Sequence, residues 1–130
     1  MAIRALNIET PDPLMWAKNG LLIANNYITQ GEYQRAGDHF EALLAHARQH
    51  NLITEEIAAL DGLGQVTDLT RDLSMALSIY QNAIDLARKT NDNLMLAHLL
   101  KHQGMVLRFA GDHEAAYQAV KASLDIISLA

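Results

Sequence analysis

A six-residue pattern recurs along this chain at a spacing of 40 residues, in residues 31–36, 71–76 and 111–116. Each copy ends in alanine, and the first and third copies begin with glycine. A bulky residue stands four positions after each alanine: Phe40, Tyr80 and Val120. Similarity at a fixed period indicates a repeat protein, whose units stack because none of them can bury its apolar face alone.

Composition and apolar spacing both favour helices. Half of the residues are apolar, and residues 14–130 contain no proline. Apolar side chains at three- and four-residue intervals form one face in each of six segments. The predicted helices cover about residues 14–29, 32–50, 54–69, 73–89, 93–110 and 113–129.

The expected helix ends carry familiar signals. Asp12 is predicted to cap the first helix, with Pro13 at its first position, where a missing N–H costs nothing. Thr54 and Asp72 are predicted to cap the third and fourth helices, and Gly31 to end the first. Short links force consecutive helices to lie antiparallel, so we predict an all-α fold of three antiparallel helix hairpins.

These hairpins suggest one domain. We expect an N-terminal lead-in at residues 1–13 and a single domain at residues 14–130. Its repeats would cover about residues 14–53, 54–93 and 94–130.

Two columns of the repeat hold small residues, and a third holds bulky ones. A glycine inside a helix costs about 1 kcal/mol relative to alanine, so small residues here are expected to let the two helices of a hairpin approach closely. The bulky column is expected to fill the gap to the next hairpin. The small residues are Ala24, Gly64 and Gly104 in the first helices, and Ala36, Ala76 and Ala116 in the second.

These columns resemble the signature of the tetratricopeptide repeat. The first repeat matches it at Ala24, Tyr27, Gly31, Tyr33, Ala36 and Phe40. The second departs at Thr67, Arg71 and Leu73, and the third at Leu107, His113 and Val120. The family's commonest period is about 34 residues, so the chain resembles a longer variant. The resemblance implies a right-handed α-solenoid whose first helices line a concave groove that binds a peptide or helix of a partner protein.

The resemblance also implies which residues face that groove. They lie on the exposed columns of the first, third and fifth helices, and the alternative is that these columns are ordinary solvated surface. The predicted partner-binding residues are Lys18, Asn25, Asp61, Gln65, Asp68, His98, Lys101, Met105 and Arg108.

Family members that hold acidic chaperone tails use a clamp of lysine, arginine and asparagine. Of the corresponding positions here, only Asn25 carries the matching residue. The others are Leu21, Gly62, His98 and His102. A function in binding chaperone tails is therefore not expected.

Two histidine pairs at i, i+4 spacing invite a metal interpretation, His46 with His50 and His98 with His102. A zinc site needs three or four ligands, and neither pair has a local glutamate in a metalloprotease arrangement. We therefore interpret these residues as surface histidines, and we predict no metal and no cofactor.

Catalysis and nucleic-acid binding also lack support. The serines lie in helical segments without a glycine-rich elbow, no phosphate-binding loop is present, and the chain has no cysteine. The net charge is −5 and the basic residues form no run, so nucleic-acid binding is not expected. We predict that the protein is not an enzyme.

The last helix differs from its counterparts at its end. Arg48 and Arg88 stand in the earlier repeats where this helix carries Ser128. Its apolar residues suggest a homodimer, a further domain that would cover them, or simple fraying of a terminal helix. The predicted self-association residues are Leu124, Ile127 and Leu129.

The sequence thus favours a non-catalytic interaction scaffold that binds another protein or peptide. An oligomerisation unit assembled through the last helix is the alternative, and a small-molecule or metal sensor is a more distant one. The N-terminus has no long apolar core of a signal peptide, and no stretch approaches the ~20 apolar residues of a membrane span. We expect a soluble cytoplasmic protein that does not bind membranes.

Overall fold

The computed structural model describes the backbone of residues 12–129 and the side chains of residues 12–128. Six α-helices and no strand are found within that range. They are α1 (Pro13–Thr29), α2 (Tyr33–Gln49), α3 (Ile53–Leu69), α4 (Leu73–Lys89), α5 (Asn93–Phe109) and α6 (His113–Leu129). The all-α prediction is confirmed, whereas most of the lead-in at residues 1–13 lies outside the described residues.

The helices follow a regular rhythm. Each is 17 residues long and is joined to the next by a three-residue link. Helices therefore begin 20 residues apart, at residues 13, 33, 53, 73, 93 and 113. All six helices thus have the same length, and the links within hairpins have the same length as the links between them.

Every link closes through the same backbone arrangement. One residue takes a positive φ, and the next residue donates its N–H to the carbonyl five residues earlier, as from Glu32 to Tyr27 at 2.8 Å. This closure satisfies a carbonyl that the helix end leaves free. The positive-φ residues are Gly31 (79°), Asn51 (57°), Arg71 (70°), Asn91 (57°) and Gly111 (90°).

Arg71 is the unexpected member of that set. A left-handed conformation costs a residue with a side chain about 1–2 kcal/mol, and glycine or asparagine takes this place in the other links. The Arg71 guanidinium lies over the Phe109 ring, 5.6 Å from its centroid. This cation–π contact, worth about 0.5–1 kcal/mol at an exposed site, offsets part of the backbone cost.

Two predicted caps are confirmed and one is wrong. The Asp12 carboxylate accepts the Leu14 N–H at 3.0 Å, and Asp72 accepts the Met75 N–H at 3.2 Å. Thr54 does not cap α3, because the helix already begins at Ile53. The chain is in helical conformation one residue earlier than the hydroxyl signal suggested.

The chain divides into two compact units between Ala59 and Leu60, a point inside α3. In the first unit α1 packs against α2. Small residues make up most of its core, so the helices approach closely. The buried apolar residues of α1 and α2 are Ala17, Ala24, Ala36, Phe40, Leu43 and Ala47.

In the second unit α5 lies between α4 and α6 and packs against both. Gln103 on α5 donates to Gln81 on α4 at 3.1 Å, and Ser123 on α6 donates to the Ala97 carbonyl at 2.8 Å. These two bonds join α5 to each of its neighbours. The largest fully buried side chains of this unit are Tyr80, Ile84, Leu99 and Val106.

The buried glycines of the second unit mark close helix approaches. A Cβ on Gly64 would lie 2.7 Å from the Tyr80 ring, and one on Gly104 would lie 2.8 Å from Val120 Cγ2 and 3.3 Å from the Ala116 carbonyl oxygen. The small residues of the first helix therefore pack against the bulky residues of the second helix in the same hairpin.

We predict that Gly64→Ala destabilises the protein by about 1–3 kcal/mol, although alanine is the better helix former by about 1 kcal/mol. The rigid Tyr80 ring cannot move away without disturbing its own neighbours. Urea denaturation followed by circular dichroism measures the difference.

Gly20→Ala is the matched control. Its added Cβ would meet the Cδ2 end of the Leu43 side chain at 2.6 Å. Such a flexible end can shift, so the control should cost clearly less. Equal losses for the two variants would show that the Tyr80 ring is not the obstacle.

Candidate functional site

A pocket of about 300 Å³ opens on the second unit between α3 and α5, with α4 beneath. We call it the α3–α5 pocket. One part of its wall is polar, and two half-exposed apolar side chains, Leu69 and Met105, form another part. Its lining residues are Gln65, Asp68, Leu69, Tyr80, Lys101, His102 and Met105.

Tyr80 belongs to both the core and this pocket. Its ring is only 2% exposed, lies against Gly64 and has its centroid 5.9 Å from that of His102. Burial raises the pKa of Tyr80 far above its ordinary 10.0, and the carboxylates of Asp61 and Asp68 raise it further. The hydroxyl therefore keeps its proton in alkali that ionises an ordinary tyrosine.

Asp61 links α3 to α5. Its Oδ1 lies 2.8 Å from Nδ1 of His102, and its Oδ2 accepts a hydrogen bond from Gln65 at 3.3 Å. Both oxygens of this carboxylate are therefore engaged. The contact between Asp61 and His102 therefore links the two helices that form the walls of the pocket.

Asp68 lies two helical turns after Asp61, and one of its carboxylate oxygens is not hydrogen-bonded within residues 12–128. Its Oδ1 is buried and has no hydrogen-bond partner among the described residues. A buried acceptor left without a partner costs about 1–3 kcal/mol. Asp68 thus combines an unsatisfied buried oxygen with a place in the lining of the pocket.

The structure brings together part of the predicted partner-binding set. Gln65, Asp68, Lys101 and Met105 line the α3–α5 pocket, and Asp61 joins it through His102. The remaining members lie elsewhere, and their common role in one groove stays a prediction. His98 is exposed on α5, Arg108 lines a neighbouring pocket that also contains Met105, and Lys18 and Asn25 are exposed on α1 in the first unit.

Three pocket residues were not in the predicted set. Tyr80 was assigned to the core by its column, and Leu69 is the last residue of α3, where the apolar pattern ends. His102 entered the sequence analysis only as a clamp position and as half of a histidine pair. No local signal separates a tyrosine that lies only in the core from one that also lines a pocket, because that depends on the adjacent helix.

Three of the four paired histidines make contacts with protein groups. His46 Nε2 lies 2.8 Å from the Pro13 carbonyl oxygen, and the His46 ring has the Trp16 ring at 4.4 Å and the His50 ring at 4.5 Å. His102 is bonded to Asp61. Across the part of the chain that the structure describes, no three or more potential ligands cluster as a metal site would require.

The outer face of α6 is apolar and open. Leu124 and Ile127 are 58% and 56% exposed, and Tyr117 on the same helix is 61% exposed. The side chain of Leu129 lies outside the described residues. No helix within residues 12–129 has the length and apolar character to cross a membrane.

Comparison with known proteins identifies the fold. No protein-family model and no curated protein matches the sequence. The TPR domain of Arabidopsis FLU superposes with a TM-score of 0.83 at 15% identity, covering 92% of this chain and 100% of that domain. The N-terminal domain of stress-induced protein-1 (STI-1) from C. elegans gives 0.72 at 15%, covering 90% and 88%.

A third structure, BtubC (BKLC) from P. vanneervenii, gives a TM-score of 0.64 at 14% identity, covering 97% of this chain and 68% of that one. Identities this low carry the fold and nothing finer. The chain therefore has the tetratricopeptide-repeat fold, as its residue columns predicted.

The raised pKa of Tyr80 predicts a specific loss of stability in alkali. The unfolded tyrosine ionises near pH 10 whereas the folded one does not, so this group's contribution is constant below pH 10 and is lost above it. It adds up to about 1.4 kcal/mol per pH unit to the alkaline decline. Tyr80→Phe should decline less steeply in urea denaturation at a series of pH values above 9.

Tyr117→Phe is the control for this titration, because Tyr117 is 61% exposed. That variant should follow the wild-type decline. A Tyr80→Phe protein that loses stability as steeply as the wild type would contradict the burial of this hydroxyl.

Asp68→Leu should raise the free energy of unfolding by about 1 kcal/mol, because it removes a buried acceptor that lacks a partner. Asp85→Leu on α4 is the control, since Asp85 is exposed and accepts a hydrogen bond from Gln81 at 3.0 Å. Thermal unfolding of both variants tests this. A lower midpoint for Asp68→Leu would show that the carboxylate is satisfied in solution.

Proposed function

We propose that this protein is a non-catalytic protein-interaction domain that binds a peptide segment or helix of a partner at the α3–α5 pocket. The observation that carries this proposal is the buried, unpartnered Oδ1 of Asp68 in the wall of an open pocket. A side chain that costs stability and faces a cavity is typical of a site kept for binding.

The pocket favours a partner segment of particular chemistry. Asp68 offers an acceptor for an arginine, a lysine or a backbone N–H, and hydrogen bonds assisted by charge are the stronger kind. Leu69 and Met105, both 45% exposed, offer an apolar surface beside it. A segment that carries a basic residue next to an apolar one would satisfy both.

Lys101 gives the pocket a second polar contact. Its side chain is exposed at the pocket wall, where it can meet a carboxylate or a backbone carbonyl of the segment. Gln65 can hydrogen-bond the backbone of an extended or helical segment. In the second unit the proposed surface continues along α5 to His98 and Arg108.

The same geometry argues against a partner with an acidic tail. His102 stands at one of the positions of the family's carboxylate clamp, but here it is bonded to the carboxylate of Asp61. Two aspartates, Asp61 and Asp68, lie at or beside the pocket. The field of these two carboxylates repels an acidic segment and attracts a basic one.

A selection from random peptides displayed on phage tests this proposal. Wild-type protein should enrich peptides that carry lysine or arginine within one helical turn of a large apolar residue. Affinity for a selected peptide, measured by fluorescence anisotropy, should fall about tenfold or more in Asp68→Leu, since a hydrogen bond to a charged group contributes about 1.5–3 kcal/mol.

The control Asp85→Leu should bind the same peptide as the wild type does. Selected peptides whose affinity is unchanged by Asp68→Leu would reject this pocket as the binding site. Enrichment of acidic peptides would reject the proposed partner chemistry.

A further inference from the structure

The contact between α4 and α5 shows how the second helix of one hairpin packs against the first helix of the next. Gln103 bonds to Gln81, so it marks the face of α5 that meets α4. Leu99 and Leu96 precede Gln103 by four and seven residues on that same face, and they are 0% and 7% exposed. An apolar α5 face covered by α4 is therefore an established interface of this fold.

No described helix covers the equivalent face of α1 in the first unit. Subtracting two periods of 40 residues places Trp16, Asn19 and Ile23 at the positions of Leu96, Leu99 and Gln103. Trp16 and Ile23 are 44% and 49% exposed. With α2 these residues line an apolar groove of about 670 Å³ in the first unit, which we call the α1–α2 groove.

The face of α4 that seats on α5 also has an open counterpart. Adding one period places Tyr117, Val120, Leu124 and Ile127 on α6 at the positions of Leu77, Tyr80, Ile84 and Ala87 on α4. The last three of these α4 residues are at most 2% exposed. Their α6 counterparts are 38–58% exposed, so α6 displays an α4-type face that the described residues leave uncovered.

We propose that α6 of one copy of this chain seats in the α1–α2 groove of a second copy, as α4 seats on α5. The occupant is a second copy because this chain carries both halves of the interface that its own repeat already uses. The inference does not depend on the α3–α5 pocket.

The repeat register sets the contacts across this interface. The Tyr80 ring lies 5.9 Å from the His102 ring, and the same offset places Val120 of one copy beside Leu22 of the other. Leu22 is 70% exposed in the single chain. Likewise the bonded pair of Gln81 and Gln103 places Lys121 beside Ile23.

Since the two faces differ, the association is head to tail. A pair joined by one such contact leaves one groove and one α6 face free, so further copies add until a ring closes or an open chain forms. A symmetric α6–α6 dimer, expected from α6 alone, would instead close upon itself.

Complementary variants test the inference by sedimentation velocity across a wide range of protein concentration. Ile23→Lys blocks the groove and Leu124→Lys blocks the α6 face, and each substitution is at an exposed site. Each variant alone should associate at least about tenfold more weakly than wild type, because a lysine replaces a buried apolar contact. Circular dichroism should show unchanged helix content in both.

Mixing the two variants gives the decisive result. Ile23→Lys retains an intact α6 and Leu124→Lys retains an intact groove, so the mixture should form a one-to-one pair that cannot grow. Leu94→Lys is the matched control at a residue that is 71% exposed on α5 and outside both faces, and it should associate like wild type.

Three outcomes would overturn the inference. A wild-type chain that stays monomeric at all concentrations would show that the two faces do not associate. Self-association of Ile23→Lys equal to wild type would indicate the symmetric α6–α6 dimer. A mixture that remains monomeric would show that the two faces do not meet.

Discussion

The backbone closure of the links is the constraint on which the rest of this structure depends. In all five links a residue with positive φ is followed by an N–H that bonds five residues back, at 2.8–3.0 Å. Because that closure has one length and every helix has 17 residues, each helix starts 20 residues after the previous one. A residue type repeated every 40 positions therefore meets the same kind of neighbour in each hairpin, which is how Gly64 comes to oppose Tyr80 and Gly104 to oppose Val120.

The α3–α5 pocket follows from the same regularity, although its chemistry does not repeat. Asp61 and Asp68 stand on one face of α3, but α5 supplies a histidine opposite only the first. Both oxygens of one carboxylate are therefore hydrogen-bonded and tie α3 to α5, while the other carboxylate keeps an oxygen without a partner among the described residues. Tyr80 stands beneath both, and its proton is held by burial and by their negative charge.

Much of the fold could be predicted because its signals are local. Helix lengths followed from apolar spacing, and the ends followed from Asp12, Asp72 and Gly31, whose side-chain or backbone properties act within a few residues. Thr54 failed as a cap because the backbone closure at Asn51 sets where α3 begins, and that closure outweighs a hydroxyl. The candidate site was harder to predict. The repeat pattern shows that Tyr80 is a core residue, but only the packing of the helices shows that it also lines a pocket.

The amino-acid sequence alone was enough to predict helical hairpins with small residues at their crossings. Periodicity, capping and steric size act over single helical turns, so they can be read from neighbouring residues. Only the tertiary structure decided which of the polar groups on α3 and α5 are bonded and which are left free. That outcome depends on side chains such as Asp61 and His102, which are 41 residues apart and come within 2.8 Å only when helices pack.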